Sequence, residues 1–330
     1  MSVRILVIGC NSFSGSDFVR HGLNLGHEIL GLSRRAESDP PFRRYFQHPN
    51  LTRFKFAQVD LNHIGTNEEK LISEFSPDLI VNYSAQSMVG QSWEQPEDWY
   101  QTNVVAISKL VNFISQLPTL QRYIHVTTPE VYGSTADWIS EDTPFNPSTP
   151  YAVSRAAGDM HLRIMNAVKG FPVIFTRAAN VFGSGQQLYR VVPKAFLSAL
   201  AGVDFPLQGG GFSRRSFIHI SDVSSATMQI ALEGRIGDTY HISTNDLITI
   251  RDLVSEIYEM CGQVFDAQGS TTSDRLGKDA GYFLSSEKLR SELGWRPEFS
   301  LKNGLEEVKD WVTSNQQLFS TLSWEYSHVK

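Results

Sequence analysis

Ile5-Leu6-Val7-Ile8-Gly9-Cys10-Asn11-Ser12-Phe13-Ser14-Gly15 decides the fold of this chain. Its first four residues are apolar and rich in branched side chains. A Gly/Ser/Asn cluster follows, and Phe18 and Val19 then return on a helix-like period, so the segment reads as strand, tight turn and helix. Glycines in such a turn let the backbone bend sharply and approach a pyrophosphate, whose charge is favoured at the amino end of the next helix. A strand-to-helix turn without any ligand has the same look. Its place at the start of a βαβ unit favours the dinucleotide reading.

Working outward, apolar runs over residues 28–32, 54–59, 78–82 and 123–126 predict further strands, separated by helical patterns such as 106–114. On this alternating strand His125 reads as a core or edge histidine. Up to residue 175 strands and helices alternate, the pattern of a Rossmann-type doubly wound parallel sheet. Past residue 177 the regularity loosens, with a helix predicted over 192–200 and a smaller C-terminal α/β lobe. The division expected is 1–176 for a dinucleotide-binding domain and 177–330 mainly for a substrate lobe, with later segments returning to the first domain. No Ser/Gly/Pro-rich linker, repeat or low-complexity run separates them, which predicts closely packed lobes with a cleft between.

Composition narrows the function. With 41% apolar and 19% charged residues among 330, the chain is of ordinary globular make-up. A net charge of -6 argues against a nucleic-acid surface, which needs a clustered basic face. Two cysteines form neither a disulfide framework nor a metal cluster and fit a reducing compartment. No run is long and apolar enough for a membrane span or a signal-peptide core, so a cytoplasmic location is expected and no metal is called for.

Two further stretches carry chemistry: Thr127-Thr128-Pro129-Glu130-Val131-Tyr132-Gly133, and Pro150-Tyr151-Ala152-Val153-Ser154-Arg155. Together with Tyr83-Ser84-Ala85-Gln86-Ser87, Trp93-Glu94-Gln95-Pro96-Glu97 and Thr102-Asn103, they resemble the extended short-chain dehydrogenase/reductase family, in its NAD-dependent epimerase/dehydratase group. The branch most resembled is the nucleotide-sugar 4,6-dehydratases, and the resemblance runs to about residue 317. It implies that Tyr151 removes a proton from a sugar hydroxyl held by Thr128 while hydride passes to a nicotinamide. Glu130 then takes the C5 proton, water leaves from C6, and the hydride returns there. The Thr-Pro-Glu sequence of residues 128–130 is closer to the GDP-mannose type than to the dTDP-glucose type, which carries an acidic residue at the position of Pro129. Residues 141–153 point the same way.

Three positions depart from the family pattern. Ser12 replaces the middle glycine of Gly-x-x-Gly-x-x-Gly, Pro129 has no proton to give, and Arg155 stands where the family has the lysine of Tyr-x-x-x-Lys. A cation beside a tyrosine favours its phenolate, and arginine keeps that charge, but it is longer, planar and unable to pass a proton on. By resemblance the cofactor meets Gly9, Ser12, Phe13, Gly15, Asp60, Leu61, Ser84, Ala85, Tyr151 and Arg155. After the second strand comes Ser33-Arg34-Arg35 rather than an acidic residue; Arg34 and Arg35 suit a 2′-phosphate, so NADP is expected ahead of NAD. For the nucleotide-sugar the resemblance implies contacts from Ser87, Asn180, Arg190, Arg215 and Arg275, arginines being apt for a diphosphate. A homodimer through helices near 104–115 and 152–168 is also implied. The alternatives at this stage are a 4-epimerase, 4-keto reductase or decarboxylase of the same family, or a binding protein without turnover.

Overall fold

The computed structural model describes residues 2–273 and 281–328. Seven parallel strands form its central sheet: β1 (Arg4–Ile8), β2 (Glu28–Ser33), β3 (Phe54–Gln58), β4 (Leu79–Asn82), β5 (Arg122–Val126), β6 (Val173–Ala178) and β7 (Thr239–Ile242). They lie in the order β7-β6-β5-β4-β1-β2-β3. The chain thus moves outward from β1 to β3, then returns to β4 on the other side of β1. That reversal opens a crevice at the carboxyl ends of β1 and β4, where doubly wound sheets bind their ligands.

The interior strands are nearly continuous apolar runs because helices cover both faces. On one face, α1 (Phe13–Asn24) joins Ile5, Val7, Phe18 and Val81 in a single core. On the other lie α2 (Thr66–Phe75), α3 (Pro96–Tyr100), α4 (Ile107–Ile114) and α5 (Pro150–Lys169), with Leu6, Ile80, Leu110 and Leu162 in the second core. A wider π-type turn over Gln101–Ala106 links α3 to α4, so the helix predicted from 106 starts one residue later.

The C-terminal lobe packs α6 (Val191–Ala201), α8 (Ile250–Met260) and α10 (Leu301–Ser314) around Phe182, Phe196 and Leu253, while α7 (Ile220–Glu233) lies against α1 and α9 (Glu287–Leu293) against β7. Arg44 ties the two halves. It pairs with Asp17 of α1 at 3.1 Å and with Glu307 of α10 at 2.9 Å. Trp311 adds a hydrogen bond from its indole to the Pro41 carbonyl at 3.1 Å.

Candidate active site

The turn after β1 is tight for a physical reason. Gly9 has φ +83°, and a Cβ there would lie 2.8 Å from the Ser84 amide nitrogen; one on Gly15 would lie 2.3 Å from the Gly9 carbonyl oxygen. Ser12 caps α1: its hydroxyl donates to the Gly9 carbonyl at 2.7 Å and accepts from the Gly15 amide at 3.0 Å. The serine in place of glycine therefore closes the loop rather than opening it. Phe13 begins the helix, buried in the core.

Asn11 organises the neighbouring rim, and nothing in the sequence reading singled it out. Its backbone amide donates to the Ser33 hydroxyl oxygen at 2.9 Å, and its side chain donates to the carbonyls of Arg35 and Ala36 at 3.0 and 2.8 Å. What is gripped after β2 is backbone; the Arg35 side chain is exposed. Beyond β3, the Asp60 carboxylate accepts from the Asn62 amide and pairs with His63 at 3.0 Å, with Leu61 buried beside it. At the end of β4, Ser84 donates to Asn82 at 2.6 Å, Ala85 follows half-buried, and Ser87 is exposed. Asn103 clamps this turn onto α5, holding both main-chain groups of Gln86 and the Ser154 hydroxyl.

Thr128 leaves β5 and starts a short helical turn, Pro129–Tyr132, with its hydroxyl accepting from the Glu130 amide at 3.3 Å. Proline suits that first helical position, where an amide donor has no intrahelical partner. Thr149 caps α5 through the Ala152 amide at 3.1 Å, and Pro150 again fills the first turn. Tyr151 is consequently fixed in the first turn of a long helix, its amide donating to Ser92. Burial pushes the Tyr151 phenol up from its ordinary pKa; the Arg155 charge draws it back down, Glu130 raises it, and a hydrogen bond with Thr128 and the charge of Arg190 lower it. Thr128, Glu130, Tyr151 and Arg155 are thus brought together.

Arg155 lies one turn further along α5 and is buried, with one guanidinium nitrogen donating to the Val126 carbonyl at the end of β5. Its Nε is buried without a hydrogen-bond partner among the described residues. Such a donor is costly to leave unpaired and fits a ligand with hydroxyl acceptors. Below the corner, Asp159 takes Arg177 at 2.7 Å and Thr127 at 3.1 Å. His125 lies 3.6 Å from Asp159; burial foremost, then the Arg155 charge, lowers its pKa to about 3, so it stays neutral inside the sheet.

Toward the C-terminal lobe the supports shorten. Asn180 heads a three-residue strand and donates to the Ser216 carbonyl at 3.2 Å. Arg215 is buried with its guanidinium over the Tyr282 ring at 5.3 Å. Arg190 precedes α6 and lies over Tyr189 at 5.4 Å. Arg275 lies outside the described residues.

A family model described as GDP-mannose 4,6 dehydratase matches residues 6–308. The chain belongs to this family. It is 30% identical to the dTDP-glucose 4,6-dehydratase of Streptomyces niveus, over 97% of this chain and 96% of that one. Among solved structures, the dTDP-glucose 4,6-dehydratase of Streptomyces venezuelae superposes with a TM-score of 0.85 and 28% identity, covering 97% of this chain and 100% of that one. That of Bacillus anthracis gives 0.86 and 28%, covering 98% and 100%. The membership makes the chain a nicotinamide-dependent lyase of nucleotide-sugar metabolism, an NDP-sugar 4,6-dehydratase, as the resemblance implied.

Two expectations change. The relatives named are of the dTDP-glucose kind, so the chain stands in the epimerase/dehydratase family without being assigned to the GDP-mannose type. The expectation of NADP is overturned: both solved relatives contain NAD. Arg34 and Arg35 misled because two arginines opening a loop are equally a solvated turn, and here the polar grip from Asn11 falls on the loop's carbonyls. Among the described residues no helix is long and apolar enough to cross a membrane.

Proposed function

We propose that the protein converts a dTDP-hexose to the dTDP-4-keto-6-deoxyhexose around a retained NAD, with Thr128, Glu130, Tyr151 and Arg155 as its working residues. The observation that carries this is the buried Tyr151 phenol, hydrogen-bonded to Thr128, with the Arg155 charge opposing the rise that burial causes and the Glu130 charge beside it. NAD, when bound, supplies the acceptor for the C4 hydride and gives it back at C6. Gly9, Ser12, Phe13 and Gly15 form its cradle, whose close approach to Ser84 leaves no room for a side chain at Gly9. Asp60, Leu61, Ser84 and Ala85 would hold it further along, and the buried, unpartnered Arg155 Nε would be a donor for one of its ribose hydroxyls.

Tyr151 takes the proton of the C4 hydroxyl that Thr128 orients, and the fixed charge of Arg155 favours the phenolate against the burial that raises its pKa. With a ketone at C4 the C5 proton becomes acidic, and Glu130 removes it. Pro129 has no proton to supply. Glu130, protonated in the preceding step, therefore hands its proton to the departing C6 hydroxyl, and water leaves; the proton that Tyr151 took from the C4 hydroxyl balances the one that C5 regains when C6 is reduced. Asn180, Arg190, Arg215 and Arg275 receive the nucleotide and its diphosphate, with Ser87 near the sugar. Residues 177–330 are mainly the lobe for that ligand, and residues 1–176 the dinucleotide domain.

An apolar stripe supports a homodimer through α5. Val153, Met160, Ile164 and Val168 are exposed at intervals of seven, four and four residues, and Val105 is exposed just before α4. A water-facing row of this kind on a helix calls for a partner surface. Sedimentation at micromolar concentration should give the mass of two chains; a monomer throughout would remove the proposal.

Mass spectrometry of dTDP-glucose, GDP-mannose, CDP-glucose and UDP-GlcNAc incubated with the purified protein tests the function. Loss of one water from dTDP-glucose is expected. Loss from GDP-mannose alone would correct the nucleotide. Unchanged mass with altered stereochemistry at C4 would replace the dehydratase by an epimerase, and no change in any sugar would sink the proposal.

A further inference from the structure

Tyr132 ends the short helical turn that carries Glu130, and its hydroxyl is held from two sides in the interior. Arg177 on β6 donates to it at 2.5 Å. His241, the register neighbour of Arg177 on β7, lies 2.8 Å away through Nε2. The other ring nitrogen of His241, Nδ1, stands 3.2 Å from the Ser285 carbonyl, which can only accept, so Nδ1 carries the hydrogen. Burial foremost, then the Arg177 charge, lowers the His241 pKa to about 3 and keeps the ring neutral. Nε2 is therefore an acceptor, and the Tyr132 hydroxyl donates to it while accepting from Arg177.

The clamp continues to the helix of the catalytic phenol. A second guanidinium nitrogen of Arg177 bonds Asp159 at 2.7 Å, and Asp159 lies on α5, the helix that bears Tyr151. Asp159, Arg177, Tyr132 and His241 thus form one connected chain, with no member more than 2% exposed. Such a chain is stiff, because losing any partner strands a buried charge or donor. Beside it the Asn146 amide donates to the Val131 carbonyl at 2.8 Å, and the ring of Tyr132 packs edge-on to Phe145. A turn as short as Pro129–Tyr132 has little stiffness of its own, so the aim of the Glu130 carboxylate depends on what fixes the turn's far end.

We propose that Tyr132 is a positioning residue for the elimination step: its hydroxyl, clamped between Arg177 and His241, holds the turn so that Glu130 faces the C5 proton. This rests on the reading that Glu130 takes that proton. Oxidation at C4 relies on Tyr151, which α5 holds whatever the turn does, whereas elimination relies on the turn itself. Loosening the clamp therefore slows the second step far more than the first, and the hydride taken from C4 waits longer before it returns at C6.

The test compares the NAD-loaded unmodified chain with Tyr132→Phe, which keeps the ring and removes the hydroxyl, and with Glu130→Gln as the reference for a lost base. With dTDP-glucose as substrate, Tyr132→Phe should lower kcat about tenfold or more with KM within about threefold. Reduced nicotinamide, read by its absorbance, should build up during turnover in both variants and exceed that of the unmodified chain. A merely structural role would slow both steps together without that build-up, and such a result overturns the proposal. His241→Leu removes only the acceptor of the Tyr132 proton, should show the same build-up, and decides the question where Tyr132→Phe does not fold. In the absence of cofactor and substrate, the amides of residues 128–133 should exchange their hydrogens about tenfold faster in Tyr132→Phe while those of α5 keep their rates. Exchange at the unmodified rate overturns the clamp whatever the reaction proves to be. If Glu130→Gln turns over as the unmodified chain does, the reading of Glu130 falls and the role of Tyr132 falls with it; if Glu130→Gln alone builds up reduced nicotinamide, only the role of Tyr132 is lost.

Discussion

At the corner between β5 and α5, Thr128, Glu130, Tyr151 and Arg155 are carried by the end of an interior strand and the first turns of a 20-residue helix. Asn180, Arg190 and Arg215, by contrast, stand on a three-residue strand, a helix cap and a two-residue strand. The first group is positioned by the sheet itself. The second depends on local partners: a Ser216 carbonyl, the Tyr189 ring and the Tyr282 ring. The difference teaches where each kind of change should act. Alterations at the sheet-borne corner should strike the chemical step, and those at the loop-borne end should strike affinity and leave the step alone.

The largest effect is expected from Arg155. Arg155→Met removes the leading influence that draws the buried Tyr151 phenol down, so the phenol's pKa rises further. Tyr151 works as the phenolate, hence the limb of kcat/KM that climbs with pH should move to higher pH, and at neutral pH kcat should fall by about 10²–10⁴-fold. Arg155→Lys restores the family's residue and a compact charge, and should stay within about tenfold of the unmodified enzyme. Rates measured across the pH range in which the unmodified enzyme's profile climbs decide the matter. A Met variant with an unmoved profile would remove Arg155 from the mechanism.

Arg215 sharpens the other side. A hydrogen bond to a charged group contributes about 1.5–3 kcal/mol, so Arg215→Met should raise KM for the nucleotide-sugar by about 10–100-fold with kcat within about twofold. Initial rates over a range of substrate concentration separate the two constants. A fall in kcat at unchanged KM would mean that the loop-borne end shares in the chemical step, and the comparison would break.

The same contrast explains what could be read from the sequence. Strands such as 28–32 and 123–126 were legible because an interior parallel strand is apolar along most of its length. Thr128, Tyr151 and Arg155 were legible because the two stretches that carry them resemble those of the extended short-chain dehydrogenase/reductase family. Asn11 and Asn103 escaped notice: both act through backbone carbonyls or amides brought near by folding, and an asparagine in a turn carries no mark of a distant partner. Arg34 and Arg35 were over-read, since loop position alone does not say whether a guanidinium faces a ribose or solvent. The bond between Tyr132 and His241 was invisible for a related reason, its two ends lying 109 residues apart.

The smallest effect is expected at Ser12, the departure from the family pattern that the structure explains most fully. Its hydroxyl satisfies one of the free amides that open α1 and also holds the Gly9 carbonyl. Removing such a cap with Ser12→Ala should lower stability by about 1 kcal/mol, whereas Ser12→Gly, which returns the family's residue, should cost only about a few tenths. Denaturant midpoints at constant slope measure both. The order matters more than the size, because a glycine lets water reach the amides while an alanine methyl shields them without bonding to them. If alanine proves no worse than glycine, the hydroxyl is not a cap, and the serine's place in the turn is one of size alone.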